Sequence, residues 1–169
     1  VRNNTGFTLV EILVVLVIIS IVSVMVVISI NHNPHKTAEA LAKKIVTVLH
    51  LAEKESMLLP EILGVKVNDN SIEILKYIPA VANKKTVSWS SLNKKQYFNL
   101  LVPASLTLQL QSQDEKVFAS HNPQIAIYPN NMLTPFVLFI ADKKTQQILY
   151  KITGKEIGEI KLESYHEKS

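Results

Sequence analysis

Gly6-Phe7-Thr8-Leu9-Val10-Glu11 opens an apolar run that continues through valine, leucine and isoleucine residues to Ile30. At about 1.5 Å of rise per residue, Phe7 to Ile30 makes roughly 36 Å of helix, enough to cross a hydrocarbon core about 30 Å thick with some tilt. A secretory signal peptide places its basic residues first, a short apolar stretch next and a small-residue cut site last. Here the run ends in Ile28-Ser29-Ile30-Asn31-His32 with no such site. It is therefore expected to remain as a membrane span, with the cleavage signal in front of it.

Glu11 is the one ionisable side chain of that run. A charge in hydrocarbon costs on the order of 2.5 to 3.5 kcal/mol on insertion scales and less near an interface, so a partner has to offset it. Cutting the chain after Gly6 would create one, a free amine at Phe7, four residues before the carboxylate. A generic single-pass anchor with a glutamate snorkelling to the headgroups is the plainer alternative. It does not account for the whole string of glycine, phenylalanine, threonine, leucine, valine and glutamate.

That string resembles the class III leader of type IV pilins and type II secretion pseudopilins. The resemblance implies that a prepilin peptidase cuts after Gly6 and methylates the new terminus at Phe7. It also implies that Glu11 neutralises the terminal amine of a neighbouring subunit during filament assembly. The leader would be residues 1–6, the transmembrane and filament-core helix 7–30, an amphipathic continuation 31–59 and a β-rich head 60–169. The leader would face the cytoplasm and the head the periplasm, with the chain in the inner membrane or in an assembled pseudopilus. Charge alone leaves that orientation open, because Arg2 and the terminal amine face Lys36, Lys43 and Lys44 across the span.

The remaining composition narrows the function. Of 169 residues, leader and span leave enough for one head of modest size. The absence of cysteine removes disulfides, thiolate catalysis and cysteine-based zinc sites together. It departs from major pilins, which often close a C-terminal disulfide loop, and sits better with pseudopilins. The net charge is +4, yet Arg2 is the single arginine, and the lysines from Lys155 to Lys168 alternate with glutamates. Lysine lacks the planar fork that reads phosphates and guanine edges, so a solvated mixed-charge surface is expected and no nucleic-acid partner.

No metal site is expected from His32, His35, His50, His121 and His166, which lie scattered without carboxylates at ligand spacing. Major pseudopilins of the G type bind calcium through acidic oxygens near the C-terminus, and Asp142 lacks such companions. Nucleophile elbows, phosphate loops and metalloprotease motifs are absent from the sequence. Neither enzymatic activity, a cofactor nor a small-molecule substrate is expected.

Asn31-His32-Asn33-Pro34 interrupts the helix, since Pro34 lacks a backbone donor and biases Asn33 away from helical angles. From Ala38 the apolar Ala38, Leu41, Ile45, Val48, Leu49 and Ala52 recur at helical spacing, with Glu39, Lys43, Thr47, His50 and Lys54 opposite. Pro60 limits the helix; if continuous, Phe7 to Leu59 would extend about 80 Å. Thereafter the period becomes two. Ile62–Val67 and Ser71–Ile78 flank Asn68-Asp69-Asn70 as a hairpin, and Pro79–Lys85 reads as a loop. Further strands are expected at Leu106–Gln111, at Ile125 and Ile127, and at Phe136–Ala141. Ile148–Ile152 and Glu156–Leu162 read as a closing hairpin around Thr153-Gly154-Lys155, with a frayed tail after Leu162. The fold class is α+β, pilin-like: a long N-terminal helix packed on an antiparallel β-sheet or small β-sandwich.

Within that family, Pro123 to Leu138 is similar to a signature of the H-type pseudopilins, as is Trp89 ahead of Leu100-Leu101-Val102-Pro103. Asn130-Asn131 stands where the group tends to carry glycine, and asparagine reaches left-handed angles too. Trp89 reads as a large core residue in preference to a partner hot spot. The resemblance implies a minor pseudopilin of the type II secretion pseudopilus, joining tip complex to shaft. Its partners would be the prepilin peptidase, the major G-type and minor I-, J- and K-type pseudopilins, and the inner membrane. The alternative is a FimT-like minor pilin of a type IV pilus that takes up DNA. Those receptors tend to use a C-terminal arginine motif, which this head lacks.

Overall fold

The computed structural model describes residues 9–29, 33–80, 88–92, 99–112 and 123–165, without the side chains of 22–29 and 112. The chain divides into two compact units, Val1–Asn33 and Pro34–Ser169.

The first unit contains helix α1, Leu9–Ser29. Its large apolar side chains from Leu9 to Ile21 are all exposed, because a helix apolar all round has no face to hide against itself. Ser20 closes its own hydrogen bond, its hydroxyl donating to the Leu16 carbonyl at 2.8 Å, so the one hydroxyl among these side chains needs no outside partner. Among the described residues no helix is long and apolar enough to cross a membrane. The side chains described in α1 stop at Ile21, and the apolar run continues in the sequence to Ile30.

The second unit begins with α2, Pro34–Leu58. Asn33 lies outside both helices and Pro34 opens the second, the position where a missing donor costs least and a fixed φ helps most. The expected interruption is therefore present at Asn33; residues 30–32 lie outside the described ones. Ala38, Leu41, Ile45, Val48, Leu49 and Ala52 are buried as their spacing requires. The opposite side carries Lys43, whose ammonium meets Glu39 at 2.6 Å one turn back. Pro60 ends the helix: Leu59 N–H still reaches the Glu55 carbonyl at 3.0 Å, and Ser56 Oγ then donates to the Glu61 carbonyl at 2.5 Å.

β1 (Leu63–Val67) and β2 (Ser71–Ile78) form the expected hairpin, closed where Asn68 N–H donates to the Ser71 carbonyl at 2.8 Å. β3 (Ser88–Ser91) and β4 (Asn99–Leu101) pair with successive halves of the far side of β2. Neither was expected, since Ser-Trp-Ser-Ser and Asn-Leu-Leu are too short to display a period. Of the expected loop at Pro79–Lys85, residues 81–85 lie outside the described ones. After β5 (Leu106–Ser112), β6 (Ile125–Ile127) returns to pair with β1, giving a five-stranded sheet with β1 and β2 at its centre.

β7 (Phe136–Asp142), β8 (Ile148–Gly154) and β9 (Ile160–Ser164) join β5 in a second antiparallel sheet, ordered β5-β7-β8-β9. The last hairpin differs from expectation. β8 runs on through Thr153 and Gly154, where the pairing Gly154↔Ile160 sets the turn at 155–159. Lys155 N–H donates to the Glu159 carbonyl at 3.0 Å and Gly158 takes φ +76°. The left-handed angle that only glycine adopts freely decides the turn, so the glycine the turn requires is Gly158, while Gly154 lies so close to the Phe136 ring that a Cβ would collide with it. Nor does order end at Leu162: Glu163 and Ser164 belong to β9, and Tyr165 N–H donates to the Leu149 carbonyl at 2.9 Å. The Tyr165 ring meets Phe139 edge-on at 6.2 Å. Residues 166–169 of the expected frayed tail lie outside the described ones.

One core joins the helix and both sheets. Ile45 from α2, Leu63 and Val65 from β1, Ile72 and Ile74 from β2, Ile125 and Ile127 from β6, and Leu138, Ile140 and Ile152 from the second sheet are buried together. Alternation along each strand sends these side chains inward and their neighbours outward. The β1–β2 sheet has a second, smaller cluster on its other face. There Trp89 and Pro123 close over Gly64, where a Cβ would collide with both, and Tyr77 meets Trp89 edge-on at 5.3 Å. Trp89 is half-buried in that cluster and not in the main core.

Candidate functional site

Of the residues assigned to processing and assembly, Gly6 and Phe7 lie outside the described ones. Glu11 is the third residue of α1, in the first turn and exposed. A carboxylate there suits the positive end of the helix dipole. Around it, Leu9, Val10, Ile12 and Leu13 are exposed apolar side chains. The motif thus presents an acid in an apolar helical surface, the arrangement a membrane or neighbouring apolar helices would cover.

The stretch from Pro123 to Leu138 is structural. Gln124 lies beside the end of β1 and grips Val67 twice: its carbonyl oxygen accepts from Val67 N–H at 2.8 Å, and its amide donates to Val67 O at 3.1 Å. Thr134 folds back on Ala126, its hydroxyl accepting from Ala126 N–H at 3.1 Å while its own N–H donates to Ala126 O at 2.9 Å. Between them Asn131 takes φ 63°, so asparagine does fill the left-handed position, and Gly158 packs against it so closely that a Cβ would meet the Asn131 carbonyl. The segment therefore latches the two sheets together, and Leu133 N–H adds a bond to the Glu156 carbonyl at 3.2 Å.

Glu53 escaped the pattern reading because it falls beside Ala52 on a helix whose charged residues otherwise point outward; the other buried polar side chain of α2 is Ser56. It is buried; Oε2 sits 2.9 Å from His50 Nδ1, and among the described residues Oε1 has no hydrogen-bond partner. Its signal in the sequence is positional only: seven residues after Val46, it lies at the border of the buried stripe.

Among the described residues there is no group of three or more metal-ligating side chains. His35 and His50 lie on α2 far apart; His32, His121 and His166 lie outside the described residues. Asp142 works as a turn residue. Its Oδ1 accepts from Thr145 N–H and Lys144 N–H, both at 2.8 Å, and from the Thr145 hydroxyl at 3.2 Å. The Thr145 N–H, with the Lys144 N–H and the Thr145 hydroxyl adding to it, holds the carboxyl below its ordinary 3.8. Glu159, against Lys155 and Lys161, and Glu39, against Lys43, are likewise held below 4.5.

Carboxylates depressed in the folded state contribute stability that is present above their unfolded values and lost as pH falls through the folded ones. The urea midpoint of the head is therefore expected to stay level from neutral pH to about 5 and to fall progressively below about 4. Asp142→Asn should flatten part of that fall; an unchanged acid limb in the variant would show that Asp142 carries none of it.

The first thirty residues match the family described as the prokaryotic N-terminal methylation motif. The minor pseudopilin EpsH from the type II secretion system of Vibrio cholerae is similar in two solved structures. One aligns at TM-score 0.61 and 23% identity over 79% of this chain and 98% of that one, the other at 0.58 and 21% over 75% and 96%. The head has the minor-pseudopilin fold. The solution structure of Escherichia coli GspH agrees, at TM-score 0.59 and 20% identity over 77% of this chain and 89% of that one. No curated protein sequence matches. The pseudopilin fold so recognised is the α+β, pilin-like architecture expected from the sequence.

Proposed function

We propose that this chain is a minor pseudopilin of the H type, a structural subunit of a type II secretion pseudopilus. One observation carries the reading: a prepilin methylation motif over residues 1–30 and a minor-pseudopilin head occur in the same polypeptide. Residues 1–6 are the leader, 7–30 the span, 31–59 the helical continuation and 60–169 the head. A prepilin peptidase cuts after Gly6 and methylates Phe7, and Glu11 then pairs with the terminal ammonium of an adjoining subunit. The head resides in the periplasm, anchored in the inner membrane or joined to the filament, where it links tip to shaft beside the G, I, J and K types. A DNA-uptake role finds less support, because every basic residue after Arg2 is lysine or histidine.

Mass spectrometry of the native polypeptide tests the processing. The expected terminus is a methylated Phe7, and Gly6→Val should leave the leader in place by filling the position the peptidase must approach. An intact start in the wild type, or a terminus elsewhere, would overturn the reading.

A further inference from the structure

Two lysines near the start of α2, Lys36 and Lys44, take no part in the ion pairs of the described residues. Lys36, Ala40 and Lys44 follow one another at four-residue steps and so share one side of the helix. Together with Leu100, Leu101 and Pro103 they line a groove of about 370 Å³. Lys43 is held by Glu39, whereas the ammonium groups of the exposed Lys36 and Lys44 make no hydrogen bond or ion pair among the described residues. Lys36 even sits in the first turn of α2, where no acid accompanies it and where a cation works against the helix dipole. Leu101 is 75% exposed although β4 continues into buried Val102. Two free cations flanking an apolar floor are what an interface between water and lipid selects: ammonium groups for phosphate, leucine for the acyl boundary.

Chain length supplies the occupant. Lys36 is six residues beyond Ile30, so it lies within roughly 20 Å of the end of the apolar run whatever the path between. Basic residues just past a span are unusual on the translocated side, and an anionic leaflet gives them a use. We infer that Lys36, Lys44 and the Leu100–Leu101 floor form a foot that binds anionic phospholipid headgroups of the bilayer holding the chain, docking the head before assembly. This inference rests on reading Phe7 to Ile30 as a membrane span.

The absence of cysteine lets Ala104→Cys, on an exposed turn beside the groove, carry a single fluorophore in the full chain. The chain is placed in nanodiscs of phosphatidylcholine with or without phosphatidylglycerol, with headgroup spin labels as quenchers. Stronger quenching is expected with phosphatidylglycerol, lost at about 1 M salt where screening acts within about 3 Å. Lys36→Glu with Lys44→Glu should lower the docked-to-free ratio by about 10²-fold or more. Equal quenching in both discs, or a double variant that behaves as wild type, overturns the foot alone. Recovery of the chain outside the discs overturns the span, and the foot with it.

Discussion

Glu11→Ala is expected to yield a chain that is cut after Gly6 and held in the membrane yet is missing from filaments. The peptidase step depends on the residues around the scissile bond, and Glu11 lies beyond Phe7 on the exposed first turn of α1. Removing a carboxylate from an apolar run also makes insertion easier, by the roughly 2.5 to 3.5 kcal/mol that the charge costs there. Assembly is where the loss falls. An ammonium buried against neighbouring helices without its carboxylate stands uncompensated, a defect of about 3–5 kcal/mol, or on the order of 10² to 10⁴ in incorporation. Co-purification of the processed variant with sheared filaments measures it, with Gly6→Val as the unprocessed control. Normal incorporation would refute the charge-pair role while leaving the fold and the leader untouched.

Ile45→Ala should be the most damaging single truncation in the helix. Ile45 is 1% exposed and belongs to the cluster in which α2 meets residues of both sheets. Its removal deletes the transfer energy of the side chain and leaves a void that the surrounding strands, hydrogen-bonded in register, cannot collapse to fill. The expected cost is about 2–5 kcal/mol, and for a head of this size the melting temperature should fall by roughly 5 to 20 °C. Thr47→Ala, on the exposed side of the same helix, should stay within about 0.5 kcal/mol. Thermal unfolding of the head decides it, and similar midpoints for the two variants would mean that α2 is not integral to the core. The head is a fair object for this measurement because it forms a compact unit from Pro34 onward, and the EpsH chains it matches are aligned over 96–98% of their length.

What could be read early depended on period and on chemistry at short range. The stripe from Ala38 to Ala52 was legible because a helix returns to the same face every three to four residues, and each of its six members is buried. The β1–β2 hairpin and β5 were legible by alternation, and β7 by an unbroken apolar run. β3 and β4 were not, being too short for a period, and they exist because β2 offers them an edge. Gly158 was hidden behind Gly154, since turn propensity alone cannot say which glycine needs the left-handed angle; the pairing of Gly154 with Ile160 does.

By itself the sequence determined the features whose physics is local: an acid one turn beyond a glycine-phenylalanine pair, an apolar run long enough to span, an amphipathic helix resuming after a break at Asn31 to Pro34, and the absence of thiol chemistry. Only the tertiary structure decided that Pro123 to Leu138 is a latch, that Trp89 serves the second face of a sheet, and that Glu53 is buried. It alone set Lys36 and Lys44 beside Leu101. These outcomes depend on contacts between residues tens of positions apart, whose free energy is settled when strands find their register and not by any property of the segments alone.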